Sequence, residues 1–144
     1  VIGVAKKPSQ ADPFEAELAF QKGQEAASSE QWDDAERLFR RAIERAPSEG
    51  EYVAALAETL AARESLDEAA TLLERATDLS PASRAVRLAR ARHYRRTNDD
   101  NNASDWYGSV LKLDPDCREA REFLAAKDKL FTRRTGLFSR LTKA

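Results

Sequence analysis

Three prolines, Pro47, Pro81 and Pro115, stand 34 residues apart. The same interval separates Ala35, Ala69 and Ala103. Four residues after each alanine comes a large apolar residue, Phe39, Leu73 or Tyr107, and three further on a small or branched one, Ala42, Ala76 or Val110. Steps of four and three place these side chains on one face of a helix. The proline that follows cannot continue that helix. A fixed period of this length marks stacked copies of one supersecondary unit, none of which can bury its apolar face alone.

Punctuation between the repeated positions predicts helices over 13–28, 32–45, 49–62, 66–79, 82–96, 100–113 and 116–130. Ala, Leu, Glu and Arg dominate, and only five Gly and five Pro occur, which favours helices over turns and strands. Asp12-Pro13-Phe14-Glu15 offers an N-cap, an N1 proline and an N3 carboxylate. Ser48 with Glu51, and Ser65 with Glu68, have the spacing of capping boxes, and Asp114-Pro115 repeats the first device before the last helix. In that last helix Ala120, Phe123, Leu124 and Lys127 recur at three and four, so it reads as a cap with one apolar and one charged face.

The segments "DDAERLFRRAIERAP", "DEAATLLERATDLSP" and "NNASDWYGSVLKLDP" resemble the second half of the tetratricopeptide repeat (TPR), a 34-residue helix-turn-helix. The resemblance covers about residues 16–117. It implies an all-α, right-handed solenoid of three repeats, 16–49, 50–83 and 84–117, closed by a capping helix over 116–130. Residues 1–12 read as a linker and 132–144 as a basic amphipathic tail. The first helices match less closely. Gly23, Ala57 and Ala91 stand where the family needs a small residue, and Ala26, Leu60 and Tyr94 where it places an apolar one. The large residue expected before the small one is Leu56 in the second copy, but Lys22 in the first and Arg90 in the third. The ending "GLFSRL" also resembles the C-terminal TPR region of bacterial J-domain-type multidomain proteins. The J-domain's His-Pro-Asp motif is absent from this sequence, so its activity is not implied.

The resemblance implies a non-catalytic adaptor or scaffold, whose first helices line a groove for segments of partner proteins. In family register the groove positions are Glu17, Phe20, Gln24, Glu51, Ala54, Glu58, Leu88, Arg92, Arg95 and Arg96. The early ones are acidic and the late ones basic, which suits a partner segment of the opposite polarity. Charge reversal at Arg92 and Arg95 is expected to weaken binding without unfolding. Some relatives clamp a C-terminal carboxylate with Lys, Asn and Arg. Those positions here hold Phe20, Gln24, Ala55, Ala85 and Ala89, so that clamp is not expected. The segment "RAVRLARARHYRR" reads either as an anionic docking site or as arginines lying against Glu51 and Glu58 with packed stems.

No glycine-rich phosphate loop, nucleophile motif or metal-spaced cluster is present, so no cofactor, metal or catalytic residue is expected. His93 and Cys117 stand alone, and Trp32 and Trp106, near the starts of second helices, read as packing residues. A sequence pI near 6.0 argues against nucleic acid as a partner. Residues 127–144 carry Lys127, Lys129, Arg133, Arg134, Arg140 and Lys143 against Asp128, a net +5, so the rest sums to −6. Within that tail Arg133, Arg134, Leu137, Phe138 and Leu141 are the expected docking residues, for a protein or for an anionic membrane surface. The alternative function is therefore a structural subunit of a larger or membrane-associated assembly, held through its termini. The lone cysteine suits a reducing compartment, and the expected location is cytoplasmic, with the tail at a membrane surface. A start at Val1 and the lack of methionine read as a fragment or a processed form.

Overall fold

A computed structural model describes residues 11–141, with side chains as far as residue 136. The expected linker therefore lies almost wholly outside the described residues, as do the side chains of Leu137, Phe138 and Leu141. The chain is all-helical over the described residues: α1 (Pro13–Ser28), α2 (Trp32–Arg45), α3 (Gly50–Ala62), α4 (Leu66–Leu79), α5 (Arg84–Arg96), α6 (Asp100–Leu113) and α7 (Arg118–Leu141). It divides into two compact units, one ending at Ala89 and the other starting at Arg90, within α5.

The even helices bury only the positions that repeat. These are Ala35, Phe39 and Ala42 in α2, Ala69, Leu73 and Ala76 in α4, and Ala103, Tyr107 and Val110 in α6. Each large residue is at most 2% exposed, and full burial of one such side chain is worth about 2–3 kcal/mol. In the first unit α1 packs on α2, α2 on α3 and α3 on α4. Helix α3 is enclosed on almost every side and buries Tyr52, Val53, Leu56, Ala57 and Leu60 among others, which is why it is nearly free of charge. The hydroxyl of its buried Thr59 donates to the Ala55 carbonyl at 3.0 Å.

Glycine serves close approach at two places. A Cβ on Gly23 would lie 2.6 Å from the Phe39 ring. One on Gly50 would lie 2.5 Å from Ser80 Oγ and 2.7 Å from the Ala76 carbonyl oxygen. That gap lets the Gly50 N–H donate to Ser80 Oγ at 3.1 Å. The start of α3 is thus capped from the end of α4, not by the capping box expected at Ser48. The N-cap residue of α3 is Glu49, whose side chain makes no capping bond. Ser65 does occupy the N-cap of α4 but makes no side-chain capping bond either. Asp12 behaves as its sequence suggests, accepting from Phe14 N and Glu15 N at 3.1 Å.

Within each repeat the turn between helices is the same left-handed device. Glu30, Glu64 and Asn98, again 34 apart, have φ of 57°, 64° and 59°. The N–H groups of Gln31, Ser65 and Asp99 reach back to the carbonyls of Ala26, Leu60 and Tyr94 at 2.9 Å, which satisfies carbonyls at the helix end. Asp99 then caps α6 by accepting from Asn102 N at 3.2 Å.

The last helix departs most from expectation. Asp114-Pro115 does not open it. Asp114 Oδ1 accepts from Asp116 N at 3.2 Å in a turn, and α7 starts at Arg118 behind the buried Cys117. It also runs to Leu141 rather than 130, because no proline interrupts "FTRRTGLFSRL".

A glutamate held at positive φ is strained relative to glycine, by about 1 kcal/mol. Glu30→Gly and Glu64→Gly should therefore each raise the thermal midpoint by roughly 3 °C. Asn98→Gly should gain less, because asparagine tolerates this region. Gly50→Ala should cost about 1–3 kcal/mol in urea unfolding, since the atoms it would meet include backbone.

Candidate partner-binding site

The expected contact residues fall on the odd-numbered helices of both units. In the first unit Glu17, Gln24 and Glu51 are exposed, and Phe20 and Glu58 are half-buried. Ala54 and Leu88 are corrections. At 3% and 7% exposed they belong to the core, because α3 is covered on nearly all sides and Leu88 faces inward on α5, so neither presents a surface to a partner.

Sequence reasoning missed the residue that organises this surface, Tyr52. Its ring lies 4.5 Å from that of Phe20, which also meets Phe39 at 5.7 Å. The Tyr52 hydroxyl donates to Glu17 Oε2 at 2.9 Å, and Gln21 Nε2 donates to Glu17 Oε1 at 3.0 Å. Burial, the bond to Glu17 and the nearby Glu49 and Glu51 push the Tyr52 phenol up to about 12, so it stays a neutral donor. Glu51 accepts from Ser83 Oγ at 3.0 Å. The result is an aromatic pair edged by fixed carboxylates.

The second unit holds a different cluster. Arg92 forks onto Glu119, with Nε at 3.0 and 3.1 Å from the two carboxylate oxygens and Nη2 at 2.7 Å from Oε2. The hydroxyl of fully buried Tyr107 donates to Glu119 Oε1 at 2.9 Å. The Tyr107 ring stacks on Phe123 at 4.6 Å, and the Arg95 guanidinium lies 5.9 Å from the Phe123 ring. The bond from Arg92 holds the Glu119 carboxyl below the usual range against the opposing effect of burial, with Tyr107 adding to it. Arg92 is thus a structural cation, and its reversal is no simple surface change: it would set two carboxylates together. Arg95 and Arg96 are exposed.

Two other arginines of the run also have structural contacts. The Arg90 guanidinium lies 4.5 Å from the Trp106 ring, so cation–π stacking answers for an apolar residue at that position. Arg87 Nε donates to the Pro81 carbonyl at 2.9 Å. His93 keeps Nδ1 buried without a hydrogen-bond partner among the described residues, and burial, then Arg90 and Arg96, lower its pKa.

Two family profiles described as tetratricopeptide repeat match residues 20–84 and 60–127. The chain belongs to the tetratricopeptide-repeat family. Among solved structures, this TPR chain is similar to the first TPR of Spaghetti (RPAP3) bound to the HSP90 peptide SRMEEVD. The identity is 17% and the TM-score 0.76, over 84% of this chain and 98% of that one. It is also similar to the Sgt2 TPR domain from Aspergillus fumigatus, at 19% identity and TM-score 0.74, over 90% and 87%. The TPR2B domain of yeast Sti1, in its complex with pHsp70, follows at 21% identity and TM-score 0.67, over 86% and 98%. No curated protein matches the chain. The J-domain-type resemblance gains no support from these matches and is carried no further.

Replacing Glu119 with glutamine should cost about 1 kcal/mol, since a charge-assisted bond to a partly exposed arginine is lost. The pH dependence follows from the lowered carboxyl. Its contribution is present in full above the ordinary carboxylate pKa of about 4.3 and is lost as pH falls through the lower folded value. Urea unfolding of Glu119→Gln from pH 6 downward should therefore show a shallower acid loss than the parent. An identical slope would remove Glu119 from this role.

Proposed function

We propose that this TPR chain is a non-catalytic adaptor that holds segments of partner proteins on the odd-helix faces of its units. The observation that carries the reading is the exposed Glu17 carboxylate and half-buried Phe20 ring, both held by buried Tyr52, with exposed Glu51 next to Tyr52 in α3. Such a surface favours a lysine or arginine flanked by an apolar side chain. The cation meets the fixed carboxylates, and the apolar neighbour covers the half-buried Phe20 ring, which packs on buried Tyr52. Gln24 and Glu58 extend the same face, and Arg95 and Arg96 supply cations on the second unit.

The peptide-bound relatives support protein segments as the general class of partner. The family's carboxylate clamp is a poor guide to the particular one. Its register here gives Phe20, Gln24, Ala55, Ala85 and Ala89, none of them a cation, and Ala89 is only 1% exposed. An acidic C-terminal peptide has nothing at those positions to neutralise its carboxylates.

Selection of random peptides on the purified chain should enrich Lys or Arg beside Leu or Phe. The charge reversals Glu51→Lys and Glu58→Lys together should weaken the selected peptides by roughly tenfold or more in fluorescence anisotropy, and raised salt should weaken them too. SRMEEVD should bind much more weakly than the selected peptides. Enrichment of acidic C-terminal peptides, or full binding by the doubly reversed variant, would overturn the assignment.

A further inference from the structure

The two halves of α7 live in different surroundings. The first half seats Ala120, fully buried, and Phe123, Leu124 and Lys127, half-buried, and α7 packs on α6. Lys127 closes that half by donating to Ser104 Oγ at 2.8 Å, the Asp100 carbonyl at 3.2 Å and Asn101 Oδ1 at 3.3 Å. Beyond it every residue from Asp128 to Gly136 is exposed, including Leu130 at 65% and Phe131 at 68%. A helical stretch this short is marginal in water unless a surface supports it.

Sequence and helical period together define that surface. At about 100° per residue, Leu130 and Phe131 share an arc of about 120° with the sequence positions Leu137, Phe138 and Leu141. Lys129, Arg133 and position 140, an arginine, border one edge, and Thr132, Thr135, Gly136 and position 139, a serine, make up the far side. No Asp or Glu occurs from residue 129 to 144, against five Lys and Arg. Arg134 falls inside the apolar arc. A dry protein groove would bury that charge at high cost. A nucleic acid would leave Leu130 and Phe131 in water. A bilayer interface accepts both: the rings and branched chains enter the acyl boundary, while Arg134 extends its stem to the headgroup phosphates. None of the described helices is long and apolar enough to cross a membrane, so the contact is in the plane of the surface.

We propose that the C-terminal half of α7 is an interfacial anchor for anionic lipid. Leu130 and Phe131 insert, and Lys129, Arg133 and Arg134 contact the headgroups. This is independent of what the faces of α1, α3 and α5 bind.

The test is flotation of the full chain with vesicles of phosphatidylcholine alone and with about thirty per cent phosphatidylserine, at low and physiological salt. The anionic vesicles should bind roughly tenfold more tightly or better. Leu130→Glu with Phe131→Glu should abolish binding at both salt concentrations, and Arg133→Glu with Arg134→Glu should weaken it by roughly tenfold or more. Because these side chains are exposed, circular dichroism melts should show the repeats intact in both variants. Three results would overturn the proposal. One is equal weak binding to both vesicle types. Another is loss with the arginine variant but not with the Leu130/Phe131 variant, which means adsorption of a polybasic strand. The last is no vesicle binding together with self-association that the Leu130/Phe131 variant removes, which makes the occupant a second copy.

Discussion

How closely one helix can approach the next decides most of this fold. Where Gly23 lies under Phe39, even a methyl group would stand 2.6 Å from the ring. Ala57 and Leu73 are likewise fully or almost fully buried in one core cluster, and Ala91 and Tyr107 are both fully buried in the second unit. One partner gives up its side chain so that the other can fill the seam, and close packing leaves no slack for compromise. Because each even helix satisfies this demand with three residues, its other positions are free to carry charge. Those charges fasten the edges. Arg40 links α2 to α4 through Glu68, Arg63 links α3 to Asp33, and Arg41 and Arg45 reach Glu15 on α1.

That division explains what could be read from the sequence. The even-helix triplets had to repeat, because their neighbours repeat, and their spacing located six of the seven helices to within two residues. The odd helices meet a different environment in each copy. α1 has a solvent face, α3 has almost none, and α5 replaces an apolar contact with Arg90 over Trp106. A single register therefore could not tell that Ala54 and Leu88 would be buried. Caps followed the same line. Asp12 acts within its own turn and was legible, whereas Gly50 takes its cap from Ser80, thirty residues on.

The candidate site was legible in part for a related reason. Glu17 and Phe20 could be named from the family register, but Tyr52, which contacts both, is one residue out of that register. Arg92 looked available because its partner lies on the capping helix, outside the repeat that contains it. A signal did exist. Opposite charges joined across helices recur at 27 residues, as in Glu36 with Arg63 and Arg92 with Glu119.

The position of Cys117 has a practical consequence. It is the only cysteine, it stands immediately before α7, and it is 3% exposed. A thiol reagent can reach it only when the structure around it opens. The alkylation rate of the native chain thus reports the opening equilibrium at that junction directly, with no engineered label. Following that rate while a peptide or a vesicle is added would reveal whether occupancy of either surface is felt at the root of the last helix.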